Sequence, residues 1–313
     1  MIVASPSNLY ADLDVEAAID AEIGRETWFG IGGRADLLLR PRSTSSLVAL
    51  AQRCRRDGIP LRVLGSGANL LVDDEGVDGV VVRLDHPSFT AVDFNAEGRV
   101  ERMRVHGGAS MERLVQECAR RGLRGVEQMS GIPASLGGAV RMNAGGRFGA
   151  IGDSIDAVAL IGPDGALRVH PSEELRFGYR ETNLPPGIVA WASLRVEPDD
   201  PVECRKRVKE IFAYKKSTQP MSAASAGCMF RNPLRADGTR ESAGLLIDRA
   251  GLKGLRVGGA FVSLEHGNFI AVDPGTRTDD VRGLVEEVRR RVLAHAGIAL
   301  ETEVVFWRRG EDA

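Results

Sequence analysis

The feature that most constrains this chain is a glycine-rich stretch at residues 130–146, which reads Ser-Gly-Ile-Pro-Ala-Ser-Leu-Gly-Gly-Ala-Val-Arg-Met-Asn-Ala-Gly-Gly. Its glycines allow positive φ angles and a close approach of the backbone to another group. An ordinary hydrophobic core does not need five glycines in so short a segment. Consecutive backbone N–H groups can cradle phosphates. A glycine-rich surface loop is the plain alternative.

A second glycine loop, Gly65-Ser66-Gly67-Ala68-Asn69, favours the phosphate interpretation. Neither loop is followed by the Gly-Lys-Ser/Thr of a P-loop. Nor does either match a dinucleotide-binding Gly-x-Gly-x-x-Gly turn, because an apolar strand follows Asn69 where a helix would be required. Two glycine-rich walls suit an extended dinucleotide with its pyrophosphate between them. The pattern leaves FAD and other nucleotides open.

Composition excludes several classes of function. The chain has 313 residues and a formal net charge of -2, so nothing favours a nucleic acid or a membrane surface as partner. Its length predicts two or three domains. Residues 1–20 have neither a basic start nor an apolar run of signal-peptide length, and no stretch is long and apolar enough to span a bilayer. We expect a cytoplasmic protein.

The order of elements predicts an α+β chain in three parts. Helices are expected at 43–57, 110–122 and 202–216, with a further helix at the end of the third region, 220–297. Extended segments are expected at 61–64, 79–84, 100–106, 155–169 and 300–307, with a hairpin turn at Gly162-Pro163-Asp164-Gly165. Asp199-Asp200-Pro201 looks like a domain boundary.

The four cysteines divide into two groups. Cys54, Cys118 and Cys204 lie on the apolar faces of predicted helices, so we expect buried thiols that behave as small hydrophobes. Cys228 lies outside any helical pattern. The spacing lacks the pairs that zinc sites require, and we expect no metal.

Seven ordered segments carry a resemblance to a known family. They are Thr27-Trp28-Phe29-Gly30-Ile31-Gly32-Gly33-Arg34-Ala35, Leu64-Gly65-Ser66-Gly67-Ala68-Asn69-Leu70, Gly131-Ile132-Pro133 with Gly137-Gly138-Ala139, Met142-Asn143-Ala144-Gly145, Phe177-Gly178-Tyr179-Arg180, residues 225–233, and Leu300-Glu301-Thr302-Glu303-Val304. In their residues and in their order along the chain, these segments resemble those of the bacterial UDP-N-acetylenolpyruvoylglucosamine reductases. The short spacing between Tyr179 and the helix at 202 resembles the family's second type, which lacks a substrate-closing loop.

The resemblance implies a fold and its division. The fold is a bilobal FAD-binding domain of the vanillyl-alcohol-oxidase (PCMH) type, followed by an α+β substrate-binding domain. We expect a lead-in at 1–28, the FAD domain at 29–196 with lobes at about 29–84 and 85–196, the substrate domain at 197–304 and a tail at 305–313.

The resemblance also implies the reaction and its cofactors. NADPH reduces bound FAD, and the reduced flavin delivers hydride to an enolpyruvyl group, which yields UDP-N-acetylmuramate for peptidoglycan biosynthesis. The partner is thus a nucleotide sugar, and we expect a monomer. The implied FAD-binding residues are Gly65, Ser66, Gly67, Ala68, Asn69, Leu70, Gly108, Ser130, Gly131, Ile132, Pro133, Gly137, Gly138, Asn143, Gly145 and Val189.

Three residues match the family's catalytic positions. Arg180 follows Phe-Gly-Tyr, and its permanent charge suits stabilisation of a carboxylate or enolate. Glu303 matches the catalytic glutamate, which holds the substrate and assists proton delivery. Cys228 stands where many members have a serine as proton donor. This departure is chemically competent, because a thiol with an ordinary pKa of about 8.5 is a stronger acid than an alcohol and is still mostly protonated at neutral pH.

Substrate contacts are implied at Asn232 and on the helix that precedes it. Lys215 matches a usual arginine, while Thr218 stands where a lysine is common, so diphosphate recognition falls to Lys215 or Lys216. His266 and Asn268 match a family segment to which we assign no chemistry.

Two other functions compete with the reductase. A flavin oxidase of the same fold would need no NADPH, but the histidine or cysteine that would hold its flavin covalently has no convincing counterpart here. A flavin-storage or nucleotide-sugar-binding module would bind FAD without turnover, and the presence of Arg180 and Glu303 argues against it.

Overall fold

A computed structural model describes residues 7–235 and 237–311 of the chain. The first six residues of the predicted lead-in and the last two of the predicted tail lie outside the described residues.

The α-helices of the described residues include the four long ones that the sequence predicts. The helices are α1 (Ser7–Tyr10), α2 (Thr44–Arg56), α3 (Pro87–Thr90), α4 (Met111–Arg121), α5 (Leu136–Arg141), α6 (Pro201–Thr218), α7 (Ala243–Arg249) and α8 (Thr278–Ala296). The four predicted helices are α2, α4, α6 and α8. Short 3-10 helices lie at Ile23–Glu26, Ala96–Gly98, Glu127–Met129, Ile151–Ser154 and Ser172–Glu174.

The strands are mostly short and belong to several sheets. They are β1 (Val15–Ala21), β2 (Ala35–Pro41), β3 (Leu61–Leu64), β4 (Leu70–Val72), β5 (Val77–Arg83), β6 (Val92–Asp93), β7 (Arg102–His106), β8 (Leu123–Arg124), β9 (Gly145–Gly146), β10 (Gly149–Ala150), β11 (Ile155–Ile161), β12 (Leu167–Pro171), β13 (Phe177–Gly178), β14 (Glu181–Thr182), β15 (Ile188–Arg195), β16 (Glu197–Pro198), β17 (Arg256–Val257), β18 (Ala260–Val262), β19 (Ile270–Val272) and β20 (Val305–Trp307).

Capping residues explain where the predicted helices begin and end. The Ser43 hydroxyl accepts from the amide of Ser46 at the start of α2, and the Ser110 hydroxyl accepts from the amide of Arg113 at the start of α4. Gly122 ends α4 with a φ of 70°, a left-handed conformation that glycine adopts without strain. These boundaries agree with the sequence prediction.

Two larger sheets make up the first two parts of the chain. A four-stranded sheet has the order β1-β2-β5-β3, with β2, β5 and β3 parallel. A five-stranded antiparallel sheet has the order β12-β11-β15-β7-β6. The predicted turn at 162–165 joins β11 to β12, and Gly165 donates to the carbonyl of Gly162 at 2.8 Å. The predicted hairpin turn is thus confirmed.

The buried side chains form separate cores that follow these layers. One core lies between the two sheets and α2, and it includes Cys54; another lies between α4, α5 and the five-stranded sheet, and it includes Cys118. Cys204 is buried as well. The prediction of three core thiols is confirmed.

The third part of the chain packs α7 and α8 on the sheet β17-β18-β19. Its core also includes Phe29, Ile31 and Leu71 from the first part. The extended segment predicted at 300–307 is a strand only over β20, which pairs in parallel with β4. Thr302 makes a single bridge to Phe230, so the segment that carries Glu303 is a connector between the first and third parts. The domain boundaries stay predictions.

Candidate active site

A cavity of about 920 Å³ is lined by residues of both larger sheets. This volume lies within the range of about 300–1,000 Å³ that is usual for ligand sites. Seven residues predicted to bind FAD line it: Gly65, Ser66, Gly108, Pro133, Gly137, Gly138 and Val189. The cavity therefore lies where the two predicted glycine walls face each other.

Close backbone approaches explain why several of these positions are glycine. A Cβ atom on Gly108 would lie 1.7 Å from the carbonyl oxygen of Leu84, and one on Gly65 would lie 2.6 Å from the Ser135 hydroxyl. Gly138 differs, because its Cβ would meet only the Ser135 hydroxyl, at 3.4 Å. A side chain there would project into the cavity. The wall is thus shaped to keep space for a ligand.

The free amides belong mainly to the upstream loop. Among the described residues, the N–H groups of Gly65, Ser66, Gly67 and Ala68 donate to no protein acceptor. By contrast, the first amides of α5 are used within the protein, since Leu136 donates to Ala109 and Gly137 to Gly107. Four free amides in a row suit the phosphates of a dinucleotide. The cavity and these amides fit FAD.

The remaining predicted FAD residues do not line this cavity. They are Gly67, Ala68, Asn69, Leu70, Ser130, Gly131, Ile132, Asn143 and Gly145. Leu70 is buried in a core within β4, and a Cβ on Gly145 would lie 2.5 Å from the Cα of Ala150. Their contact with the cofactor stays a prediction.

Sequence reasoning missed several lining residues, among them Gly107, Arg141 and Gly187. Arg141 donates to the carbonyl oxygens of Leu184 at 3.2 Å and Pro185 at 2.7 Å, which fixes one edge of the cavity. A pattern of residues does not predict this contact, because the partners lie more than forty positions away. Gly107, directly before the predicted Gly108, was the signal available in the sequence.

Arg180 lies at the tip of the hairpin formed by β13 and β14. Its φ is 58°, a left-handed conformation that is strained for a long side chain. Asn143, with a φ of 40°, donates from its side-chain amide to the carbonyl oxygen of Gly178 at 2.7 Å. The glycine stretch thereby holds the hairpin that presents Arg180.

The structure brings Arg180 and Glu303 together. The Arg180 Nε donates to Glu303 Oε1 at 2.5 Å, and the two side chains are only 18% and 11% exposed. Burial raises the pKa of Glu303, while the charge of Arg180 opposes that rise. The pair therefore places a fixed cation beside a carboxyl group that can take up a proton.

Cys228 shares this electrostatic environment. It lies in the segment 225–233 named above, where it makes a bridge to Phe269. Burial raises the pKa of its thiol to about 12, with a further increase from Glu303 and a decrease from Arg180. The thiol is therefore protonated at neutral pH, as a proton donor must be.

The predicted substrate residues Lys215 and Asn232 are both bonded to the backbone or side chains of neighbouring segments. Lys215 is buried, and its Nζ donates to the carbonyl oxygens of Ser130 at 2.5 Å and Gln128 at 3.3 Å. The backbone amide of Asn232 donates to the Tyr179 hydroxyl at 3.1 Å. Tyr179, which sequence reasoning did not single out, also packs under the guanidinium of Arg240 at 4.1 Å.

The upstream glycine loop is linked directly to the segment that carries Glu303. The side-chain amide of Asn69 donates to the backbone carbonyl oxygen of Glu303 at 3.1 Å, and the amide of Val305 donates to the carbonyl oxygen of Asn69 at 3.1 Å. The position of Glu303 is thus set partly by the loop that borders the cavity.

Within 7–235 and 237–311, none of the helices combines the length and apolar character that a membrane crossing requires. In the same part of the chain, no group of three His, Cys, Asp or Glu side chains is arranged to hold a metal ion.

Family models match two segments of the chain. Residues 35–169 match an FAD binding domain, and residues 219–307 match the C-terminal domain of UDP-N-acetylenolpyruvoylglucosamine reductase. The first match contains Gly65 and Gly138, and the second contains Cys228 and Glu303. Arg180 and Val189 lie between the two matched segments.

Curated relatives match nearly the whole chain. The UDP-N-acetylenolpyruvoylglucosamine reductase of Thermus thermophilus is 44% identical over 279 residues, which is 89% of this chain and 95% of that protein. The reductase of the same name from Heliobacterium modesticaldum is 40% identical over 284 residues, which is 90% of this chain and 88% of that protein.

A solved structure has the same fold. The crystal structure of UDP-N-acetylenolpyruvylglucosamine reductase from Thermus caldophilus superposes with a TM-score of 0.78 at 43% identity, and it covers 94% of this chain and 99% of that chain. Together with the matched FAD binding domain, it confirms the predicted fold class.

Proposed function

The chain belongs to the UDP-N-acetylenolpyruvoylglucosamine reductase family, and we propose that Arg180, Cys228 and Glu303 carry out the family's reaction in it. The reaction reduces the enolpyruvyl group of a nucleotide sugar with NADPH, in peptidoglycan biosynthesis. When bound, FAD supplies the hydride chemistry between NADPH and that group. The observation that carries the proposal is the buried Arg180–Glu303 pair in the electrostatic environment of Cys228.

Arg180 stabilises negative charge on the substrate. Hydride addition to the enolpyruvyl double bond leaves an electron pair on the carbon beside the carboxylate. A guanidinium that keeps its proton lowers the energy of this enolate-like charge. The contact with Glu303 and the strained backbone at residue 180 hold the guanidinium in one orientation.

Cys228 supplies the proton that completes the reduction. The S–H bond breaks, a C–H bond forms at the carbon next to the carboxylate, and the thiolate recovers a proton from water. A raised thiol pKa keeps the donor protonated before each turnover, and the charge of Arg180 stabilises the thiolate afterwards. Glu303 orients Arg180 and, in its protonated form, donates a hydrogen bond to the carboxylate end of the substrate.

Asn232 and Lys215 are proposed to bind the nucleotide-sugar end. The Asn232 side-chain oxygen accepts from the amide of Ala243 at 3.0 Å, which leaves its NH₂ group for a ligand. Lys215 has a third N–H donor beyond the two that its backbone partners use. The cytoplasmic location, the monomeric state and the absence of nucleic-acid and membrane partners stay predictions.

A reoxidation experiment tests the proposed function. The flavin-loaded protein is reduced with NADPH under anaerobic conditions and then mixed with UDP-N-acetylglucosamine enolpyruvate. We expect the absorbance of oxidised flavin to return after mixing with the enolpyruvyl sugar. The control is UDP-N-acetylglucosamine, which lacks the enolpyruvyl group and should leave the flavin reduced. In a separate aerobic sample without the enolpyruvyl sugar, rapid reoxidation of the flavin by oxygen would indicate an oxidase. Failure of the enolpyruvyl sugar to reoxidise the flavin would contradict the proposal.

A further inference from the structure

The segment that carries Cys228 is held by a buried asparagine. Asn268 is 3% exposed, and its side chain bonds the same residue twice. Its Oδ1 accepts from the amide of Phe230 at 2.9 Å, and its Nδ2 donates to the carbonyl oxygen of Phe230 at 2.8 Å. Its backbone carbonyl oxygen accepts from the amide of Met229 at 2.7 Å. One residue therefore fixes the two positions that follow Cys228.

The opposite side of the segment is fixed by the strand-like connector. Glu303 donates from its amide to the carbonyl oxygen of Met229 at 2.7 Å, and Arg231 donates to the carbonyl oxygen of Glu301 at 2.9 Å. Cys228 itself forms a bridge with Phe269. The thiol thus sits on a backbone that is bonded on both sides, with Asn268 on one side and Glu303 on the other.

A second layer of contacts holds Asn268. The Nδ1 of His266 accepts from the amide of Asn268 at 3.1 Å, and the imidazole packs edge-on against Phe269 with centroids 5.0 Å apart. A Cβ on Gly244 would lie 2.9 Å from the His266 ring, so the absence of a side chain at 244 makes room for it. These contacts therefore fix the conformation of the His266-Gly267-Asn268 turn.

We propose that Asn268 is a positioning residue for proton donation, which holds Cys228 against the reacting carbon through the backbone of Phe230. The inference rests on the proposed function. Asn268 acts through Cys228 and is not among the residues that line the cavity. Its side chain also lowers the pKa of the Cys228 thiol by hydrogen bonding, in opposition to the larger effect of burial.

The two half-reactions, flavin reduction by NADPH and flavin reoxidation by the enolpyruvyl sugar, distinguish a positioning role from a merely structural one. In Asn268→Ala the amide and carbonyl of Phe230 lose their partners in a buried place, and the segment shifts. We expect flavin reoxidation by the enolpyruvyl sugar to slow about 10- to 100-fold, because a displacement of about 1 Å has effects of this size. Reduction of the flavin by NADPH should stay within about twofold of the unchanged protein.

A double variant tests whether the effect passes through the thiol. If Asn268 acts only by placing Cys228, Asn268→Ala should cause no further loss in a Cys228→Ala background. Thr278→Ala is the matched control, since Thr278 is also fully buried and accepts one hydrogen bond, from the amide of Asp74 at 3.0 Å. It should affect both half-reactions little.

Asn268→Asp decides the question if Asn268→Ala does not fold. It keeps the volume and the acceptor for Phe230 but loses the donor, and we expect the same selective slowing to a smaller extent. Equal slowing of both half-reactions, or a further loss in the Cys228→Ala background, would overturn the inference. If the enolpyruvyl sugar fails to reoxidise the flavin even in the protein without substitutions, the proposed function is contradicted together with the inference. If both Asn268 variants are reoxidised at the normal rate, only the inference is contradicted.

Discussion

Lys215 is a buried lysine whose charge depends on pH near neutrality. Burial, and then the charge of Arg180, lowers the pKa of Lys215 to about 8. The charged ammonium has three N–H donors, of which two are used by the carbonyl oxygens of Ser130 and Gln128. The neutral amine has only those two. The proposed contact with the substrate diphosphate therefore exists only while Lys215 is charged.

This residue predicts a pH-dependent substrate affinity. Because the pKa is lowered, the charged fraction falls as the pH rises through about 8. We expect KM for the enolpyruvyl sugar to rise about tenfold between pH 7 and pH 9, given the usual strength of charge-assisted hydrogen bonds. Lys215→Met should show the raised KM at all pH values. The exposed neighbour Lys216 is the control, and a larger effect of Lys216→Met would contradict the assignment.

Sequence motifs predict the proposed catalytic residues singly, but not their geometry. Arg180 and Glu303 are 123 positions apart, so no periodicity could predict a direct hydrogen bond between them. The same limit applies to Asn268, whose partner Phe230 is 38 positions away. Tyr179 was overlooked because its contact with the backbone of Asn232 exists only after the chain has folded.

Among the elements, the β13–β14 hairpin joins the glycine stretch to the catalytic centre. Asn143 and Arg180 both have positive φ, and the Asn143 side chain bonds the hairpin residue Gly178. The Asn143 Oδ1 also accepts from the amide of Gly152 at 3.0 Å. One side chain thus ties two turns together across the site.

The variant Asn143→Gly distinguishes the effect of the Asn143 side-chain hydrogen bonds from the effect of its strained backbone. Glycine keeps the positive φ without cost, so the main loss is the hydrogen bonding to Gly178 and Gly152. We expect flavin reoxidation to slow by about tenfold and the melting temperature to fall by a few degrees. Asp20→Gly is the control, because Asp20 also has a positive φ, of 53°, but has an exposed side chain. Equal reoxidation rates in the two variants would contradict the role of Asn143.

The elements also show how far a glycine pattern can be interpreted. The sequence placed the stretch at 130–146 first among the phosphate-binding candidates, yet α5 uses its first amides within the protein. The free amides occur at Gly65–Ala68, where the chain leaves a parallel strand. Whether an amide is free depends on neighbours in space, which spacing along the chain does not report.

At the scale of the whole molecule, the cavity proposed to hold the cofactor lies between the two larger sheets. Residues from the four-stranded and five-stranded sheets line it, while α2 and α5 cover the cores on either side. The sequence predicted the α+β order and the three-part layout. It could not predict that Phe29, Ile31 and Leu71 pack into the third part, because these apolar residues fit the first part equally well.

Bound FAD should therefore stabilise the whole fold. A ligand at about 100 times its Kd contributes about 2.7 kcal/mol, which corresponds to a rise of several degrees in the melting temperature. Gly138→Val fills cavity space and should abolish that rise while the protein still folds. Gly146→Ala is the control, because a Cβ there has no atom within 4 Å and should leave the rise intact. An equal FAD-dependent shift in the Gly138→Val protein would contradict the placement of the cofactor.

The proton donor that we propose for the substrate is a cysteine, Cys228. Rapid mixing of Cys228→Ala and Cys228→Ser with NADPH, and then with the enolpyruvyl sugar, tests it most directly. We predict that NADPH bleaches the flavin normally in both variants. The enolpyruvyl sugar should then restore the flavin absorbance measurably in Cys228→Ser, and at least about 100-fold more slowly than normal in Cys228→Ala. Normal reoxidation of the Cys228→Ala protein would contradict the account.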